Sequence, residues 1–96
     1  MIRPKLYTNV FSTKEFIERY KAVDVRTARA VDQKLELFEK NPFDLGLHNH
    51  ALRDEWAGHQ SIDITNDYRA VYKEVYDGEE RNAYFVALGT HEELYG

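Results

Sequence analysis

Two hydrophobic periods divide the chain. Ala28, Val31, Leu35 and Phe38 recur at spacings of three and four, the apolar stripe of a helix that Asp24 can cap and Asn41-Pro42 stops. Upstream, Ser12-Thr13-Lys14-Glu15 has the S-x-x-E form of a capping box, with Ser12 accepting from the third helical amide, and predicts a helix from about Thr13 to Ala22. Only a residue or two separates these helices, so residues 12–41 are read as a helical hairpin. The opening Lys5-Leu6-Tyr7-Thr8-Asn9-Val10 alternates weakly and predicts a short strand ahead of it.

After a loop over 42–49 the period becomes two. Ile62 and Ile64 alternate with Ser61, Asp63 and Thr65; Val71, Lys73 and Val75 alternate with Ala70, Tyr72 and Glu74; Tyr84, Val86 and Leu88 alternate with Phe85 and Ala87. Residues 51–56 predict a further strand with Leu52 and Trp56 on one face, turned into the next by Ala57-Gly58. Asp77-Gly78-Glu79-Glu80-Arg81 is the clearest turn, because Gly78 can take positive φ. Consecutive strands joined by short turns make an antiparallel sheet. The fold class expected is therefore α+β, a two-layer domain whose N-terminal strand and helical hairpin pack on that sheet.

The length of 96 residues supports one modest core, so residues 1–96 are read as a single domain with one site. The absence of cysteine removes disulfides, thiolate nucleophiles and thiolate metal sites, and fits a reducing cytoplasm. No run approaches a membrane span, and Met1-Ile2-Arg3-Pro4 does not begin a basic-then-apolar leader, so the expectation is a cytoplasmic protein with no membrane partner. Charge complicates any polyanion substrate: the formal net is −4. Residues 1–48 carry 9 Lys+Arg against 7 Asp+Glu, while residues 49–96 carry 4 against 10.

The candidate chemistry lies in His48, His50, His59 and His91. Metal-free RNA cleavage needs a base for the 2′-hydroxyl proton, an acid for the leaving 5′-oxygen and a group that faces the phosphorane's charge; imidazole serves either proton-transfer role near neutral pH. His48-x-His50 also has the spacing of a zinc pair on a strand, but without cysteine or a third ligand no metal or cofactor is expected. On residue type alone Asp67 equally suits the turn after Asn66, His50 a loop cap, His91 a carbonyl partner at a strand end, and His59 the surface. Trp56 reads as core.

In order, His50-x-Leu52, Trp56-x-Gly58, Ile62-Asp63-Ile64, Asp67-Tyr68-Arg69-x-x-Tyr72 and Gly89-Thr90-His91-x-x-Leu94-Tyr95-Gly96 resemble the successive motifs of YafQ-type toxins of the RelE/ParE superfamily. The likeness covers about residues 46–96 and is topological before that. It implies the toxin of a type II toxin-antitoxin system, an endoribonuclease that cuts mRNA on the ribosome and is silenced by a cognate antitoxin. By position it implies His50, Asp67 and His91 as catalytic residues. Asp63, Tyr68, Arg69 and Tyr95 become substrate-binding residues, the aromatics by stacking on bases or bonding phosphate. One departure stands out: Asp63 lies where these toxins commonly carry a further histidine, and a carboxylate cannot offer phosphate a positive charge. That substitution and the acidic second half keep open a weak or inactive antitoxin-binding member of the fold. A ParE-like gyrase inhibitor is the remaining alternative.

Overall fold

The computed structural model describes residues 6–96, so the readings at Met1–Pro4 and Lys5 lie outside the described residues. Chain order is β1 (Asn9–Ser12), α1 (Lys14–Ala22), α2 (Val25–Lys40), β2 (His50–Ala51), β3 (Gln60–Asp63), β4 (Tyr68–Asp77), β5 (Glu80–Thr90) and α3 (His91–Tyr95). Single 3-10 turns occupy Leu45–Leu47 and Asp54–Trp56. The α+β class holds, with the helical hairpin over one face of a sheet ordered β1-β5-β4-β3-β2. The sheet is mixed, not wholly antiparallel: β2 to β5 pair antiparallel, but β1 lies parallel to β5 with Asn9 opposite Asn82. The hairpin between β1 and the rest of the sheet carries the chain across and permits that direction.

Local signals explain most boundaries. Thr13 caps α1 in place of Ser12, its Oγ1 accepting from the Phe16 amide at 3.3 Å, because Ser12 is the last residue of β1. The two residues between β4 and β5 turn tightly on Gly78, whose φ of +61° favours glycine. The strand expected over 51–56 shrinks to His50–Ala51. Asp54–Trp56 instead makes a 3-10 turn, with the indole N–H of Trp56 donating to the Leu94 carbonyl at 2.9 Å. A tertiary hydrogen bond thus outweighs local strand pattern.

The core lies between hairpin and sheet. Phe38 packs against Tyr7, Tyr72 and Phe85 at ring-centroid distances of 5.4, 4.8 and 5.0 Å, and is fully buried. Truncating such a ring to alanine costs about 3–5 kcal/mol. The expected alternation in β5 is broken: Val71 faces Ala87 but Tyr72 faces Phe85, which leaves Val86 as an extra residue in a β-bulge. The bulge lets both Phe85 and Leu88 enter the core although they are three apart.

Register then determines the other face. Ser61, Val71 and Ala87 form one row across β3, β4 and β5, and Asp63, Arg69 and Gly89 form the next. Because Ile62, Ala70 and Leu88 point into the core, alternation sends these two rows to the face away from the hairpin. His50 joins the Ser61 row through β2.

Candidate functional site

The away-facing rows gather the polar chemistry. Asn49 is the anchor: its amide donates to the Tyr72 hydroxyl at 2.7 Å and to the Pro42 carbonyl at 2.8 Å. Burial pushes the Tyr72 hydroxyl above the ordinary tyrosine range, so it acts as a neutral hydrogen-bond partner. With Asn49 turned inward, His48 and His50 are exposed on either side of it, their ring centroids 4.8 Å apart. His50 Nδ1 lies 2.8 Å from the His48 carbonyl, an acceptor that requires the proton on Nδ1 and leaves Nε2 as the basic nitrogen. His48 has φ +48° and ψ +48°, a left-handed conformation that costs a residue with a Cβ about 1–2 kcal/mol.

Asp63 sits at the centre of this cluster. One carboxylate oxygen is 3.5 Å from His48 Nδ1 and the other 3.0 Å from Arg69 Nε, the latter at ion-pair distance but without the in-line geometry of a hydrogen bond. Arg69 is largely enclosed, its side chain 18% exposed, and its Nη1 donates to the carbonyls of Thr65 and Tyr68 at 2.7 and 3.0 Å. Most of the guanidinium is therefore spent clamping the β3–β4 turn, and Nη2 is the nitrogen outside these contacts. Of the other strand cations, Arg81 is paired with Glu74 at 2.6 Å, while Lys73 is exposed.

The C-terminal helix closes the site from the other side. Thr90 and Glu93 form a reciprocal capping box, and Arg19 of α1 binds the Glu93 carboxylate through Nη2 at 2.6 Å. The Thr90 amide, with Arg19 and the Thr90 hydroxyl adding to it, holds the Glu93 carboxyl below the usual carboxylate range. Gly89 leaves the space for this packing, since a Cβ there would stand 3.3 Å from Leu94 Cγ. Tyr95 donates to Ser61 Oγ at 2.9 Å and meets the edge-on ring of His91 at 4.8 Å. A path of contacts thus runs from His91 through Tyr95 to Ser61, the residue opposite His50.

The predicted residues therefore separate into groups. His50, Asp63, Arg69 and Tyr95 share one face, and His91 stands exposed at its edge as the first residue of α3. Asp67 is beside His91, but their bond is between backbones: the His91 amide donates to the Asp67 carbonyl at 2.9 Å. Both line an open cavity of about 390 Å³ with Asn66, Thr90 and Glu92. Among the described residues no hydrogen bond or ion pair joins His50 to Asp67 or His91. Tyr68 turns to the opposite face, packs on the core and lines a groove of about 920 Å³ with Arg26, Arg29, Thr65 and Asn66. His48 stood among the candidate histidines but outside the site residues the resemblance implied, and Ser61 was not a candidate at all. The His48-x-His50 spacing was the available signal, since alternate residues flanking one buried residue share a side. Nothing local marked Ser61. Among the described residues no group of three or more His, Asp or Glu could hold a metal ion, and no helix is long and apolar enough to cross a membrane.

This arrangement of hairpin, mixed sheet and closing helix is the fold of the RelE/ParE-type toxins of toxin-antitoxin systems. Among solved structures the chain is similar to the YoeB/ParE toxin from Agrobacterium tumefaciens, at a TM-score of 0.70 and 21% identity over 88% of this chain and 99% of that one. It is similar to a chain of the E. coli DinJ-YafQ toxin-antitoxin complex at 0.70 and 19%, covering 100% of both. For the toxin-antitoxin complex RelBE2 from Mycobacterium tuberculosis the values are 0.67 and 20%, over 93% of this chain and 100% of that one. No family model matches the sequence, and no curated protein matches it significantly.

Proposed function

We propose that the chain is the toxin of a type II toxin-antitoxin system, an endoribonuclease that cleaves mRNA on the ribosome in the cytoplasm and is neutralised by a cognate antitoxin. One observation carries the reading: two imidazoles, His50 and His91, flank a polar sheet face on the fold shared with YafQ and RelE toxins. His50 Nε2 takes the 2′-hydroxyl proton and His91 protonates the departing 5′-oxygen, chemistry that calls on no cofactor. Asp67, beside His91, orients that imidazole once RNA is bound. Tyr95 lies between the two histidines and stacks on a base or bonds phosphate, as Tyr68 does from the groove side. Arg69 Nη2, with Asp63 fixing the guanidinium, is the cation nearest the reacting phosphate. The antitoxin, whose counterpart is named in the DinJ-YafQ and RelBE2 complexes, contributes a segment that orders on contact with the toxin.

Expression of the wild-type chain without antitoxin should arrest growth and cut mRNA, and His91→Ala should abolish both. Equal toxicity of the variant removes His91 from the mechanism. A second reading is favoured by Asp63, which places a carboxylate amid the cluster on an acidic half of the chain: a member that binds antitoxin but cuts weakly or not at all. Asp63→His separates the two, because increased cleavage marks a weakened enzyme and an unchanged inert protein marks a binder. DNA-damage signalling on expression would instead point to a gyrase inhibitor.

A further inference from the structure

We infer that His48 is a catalytic residue of this site, forming with His50 a paired base that Asp63 positions. The inference rests on the endoribonuclease reading and extends its proton-transfer machinery to a residue outside the motifs that suggested it.

Four observations converge. His48 is highly exposed, with 72% of its side chain accessible, so it is not retained for packing. Its ring is nonetheless ordered by two neighbours, the Asp63 carboxylate 3.5 Å from Nδ1 and the His50 ring at 4.8 Å. Its left-handed backbone, as the C-cap of the Leu45–Leu47 turn, fixes the point from which the ring leaves the chain. Asp63 in turn is fixed from the other side by Arg69, so the carboxylate is a rigid support.

The chemistry follows from which nitrogen each acceptor occupies. The Asp63 carboxylate, 3.5 Å from Nδ1 without a hydrogen bond to it, favours the Nδ1–H tautomer of His48 electrostatically, and the His48 carbonyl at 2.8 Å sets the same tautomer for His50. Each exposed ring then keeps Nε2 as its basic nitrogen. Either ring, when neutral, can take a proton at Nε2, so the two offer alternative bases 4.8 Å apart between ring centroids. In the reaction the 2′-hydroxyl proton passes to Nε2 of the neutral ring and O2′ bonds to phosphorus. The P–O5′ bond breaks, and O5′ leaves with the proton from His91, giving a cyclic 2′,3′-phosphate and a 5′-hydroxyl end. The charged groups facing His48 are His50 on β2, Asp63 on β3 and Arg69 on β4; the positive charge formed on the pair is met by Asp63.

The test uses the full chain with ribosome-bound mRNA, comparing single-turnover cleavage by wild type, His48→Gln, Asp63→Asn and the double variant, with thermal melting as the check on folding. His48→Gln is expected to slow cleavage about 100-fold with an unchanged melting temperature. Asp63→Asn should slow it less. In the His48→Gln background it should add nothing, because a positioning residue has no effect once the ring it positions is gone. Nitrogen NMR should report the Nδ1–H tautomer of His48 in the wild type and a tautomer mixture in Asp63→Asn. Wild-type cleavage rates in a folded His48→Gln, or equal losses from Asp63→Asn with and without His48, overturn the inference. If the wild type cuts no RNA, free or ribosome-bound, the endoribonuclease reading fails and this inference with it. Cleavage by the wild type with an indifferent His48 sinks this inference alone.

Discussion

At the scale of single residues, His48 carries opposing demands. Its left-handed backbone costs stability, and its imidazole is placed where chemistry is proposed. His48→Gly relieves the first and removes the second. Glycine tolerates φ near +48° without a Cβ clash, so the substitution should stabilise the fold by about 1 kcal/mol, or about 4–8 °C in melting temperature for a domain of this size. Cleavage should fall at the same time. A lower melting temperature would mean that the His48 ring contacts stabilise the fold by more than the backbone strain costs. The Asp63 contact could not be read from the sequence, because it joins His48 to a residue on β3, while the left-handed backbone comes from the C-cap of the Leu45–Leu47 turn. His50 and His91 were legible only through their place in ordered motifs; as isolated residue types they had bland alternatives.

At the scale of elements, α3 is the least self-sufficient piece: five residues make barely more than one helical turn, too short to be stable in isolation. It is held by the capping box, the Arg19–Glu93 pair, the Trp56 indole and the Tyr95–Ser61 bond. Glu93 makes this docking sensitive to acid. Its folded carboxyl lies below the ordinary glutamate value of about 4.3, so the stabilisation is fully present above that value and is lost as pH falls through the lower, folded value. The single tryptophan reports the event directly, since its N–H bonds α3. Trp56 fluorescence should shift as α3 releases on acidification below the ordinary glutamate range, and Glu93→Gln should remove that transition while leaving neutral-pH fluorescence mostly unchanged. An acid transition retained in Glu93→Gln would assign it to another carboxylate. The Gly89–Tyr95 run was legible as a motif, but not as a helix anchored by Trp56. The strand pattern over 51–56 pointed elsewhere, and the β5 bulge was equally hidden because alternation alone gives no sign of an inserted residue. The helical hairpin and the β4–β5 turn were legible because their causes are local: an apolar stripe, a proline stop and a glycine with positive φ. The parallel pairing of β1 was not, since direction is decided between residues more than seventy positions apart.

At the scale of the whole molecule the difficulty is charge. A chain of net −4 gains little from long-range attraction to RNA, and Arg69 and Arg81 are already engaged by carboxylates. Among the cations left beside the site are two on α2: Arg26 and Arg29 are exposed, are in no salt bridge among the described residues, and line the groove that shares Asn66 and Asp67 with the His91 cavity. On the proposed endoribonuclease reading, a strand of RNA leaving His91 over the β3–β4 turn meets these two arginines. If each neutralises one phosphate of single-stranded RNA, together they contribute about −1.4 to the slope of log affinity against log salt. Anisotropy titrations of an uncleavable 2′-O-methyl oligonucleotide over a range of salt should show the slope flattening by about that amount in Arg26→Ala/Arg29→Ala. His91→Ala should leave the slope unchanged. An unaltered slope in the double arginine variant would direct the RNA away from this groove. With so few cations in play, affinity for free RNA should be weak, so the proposed endoribonuclease reading assigns substrate capture to the ribosome and not to this surface.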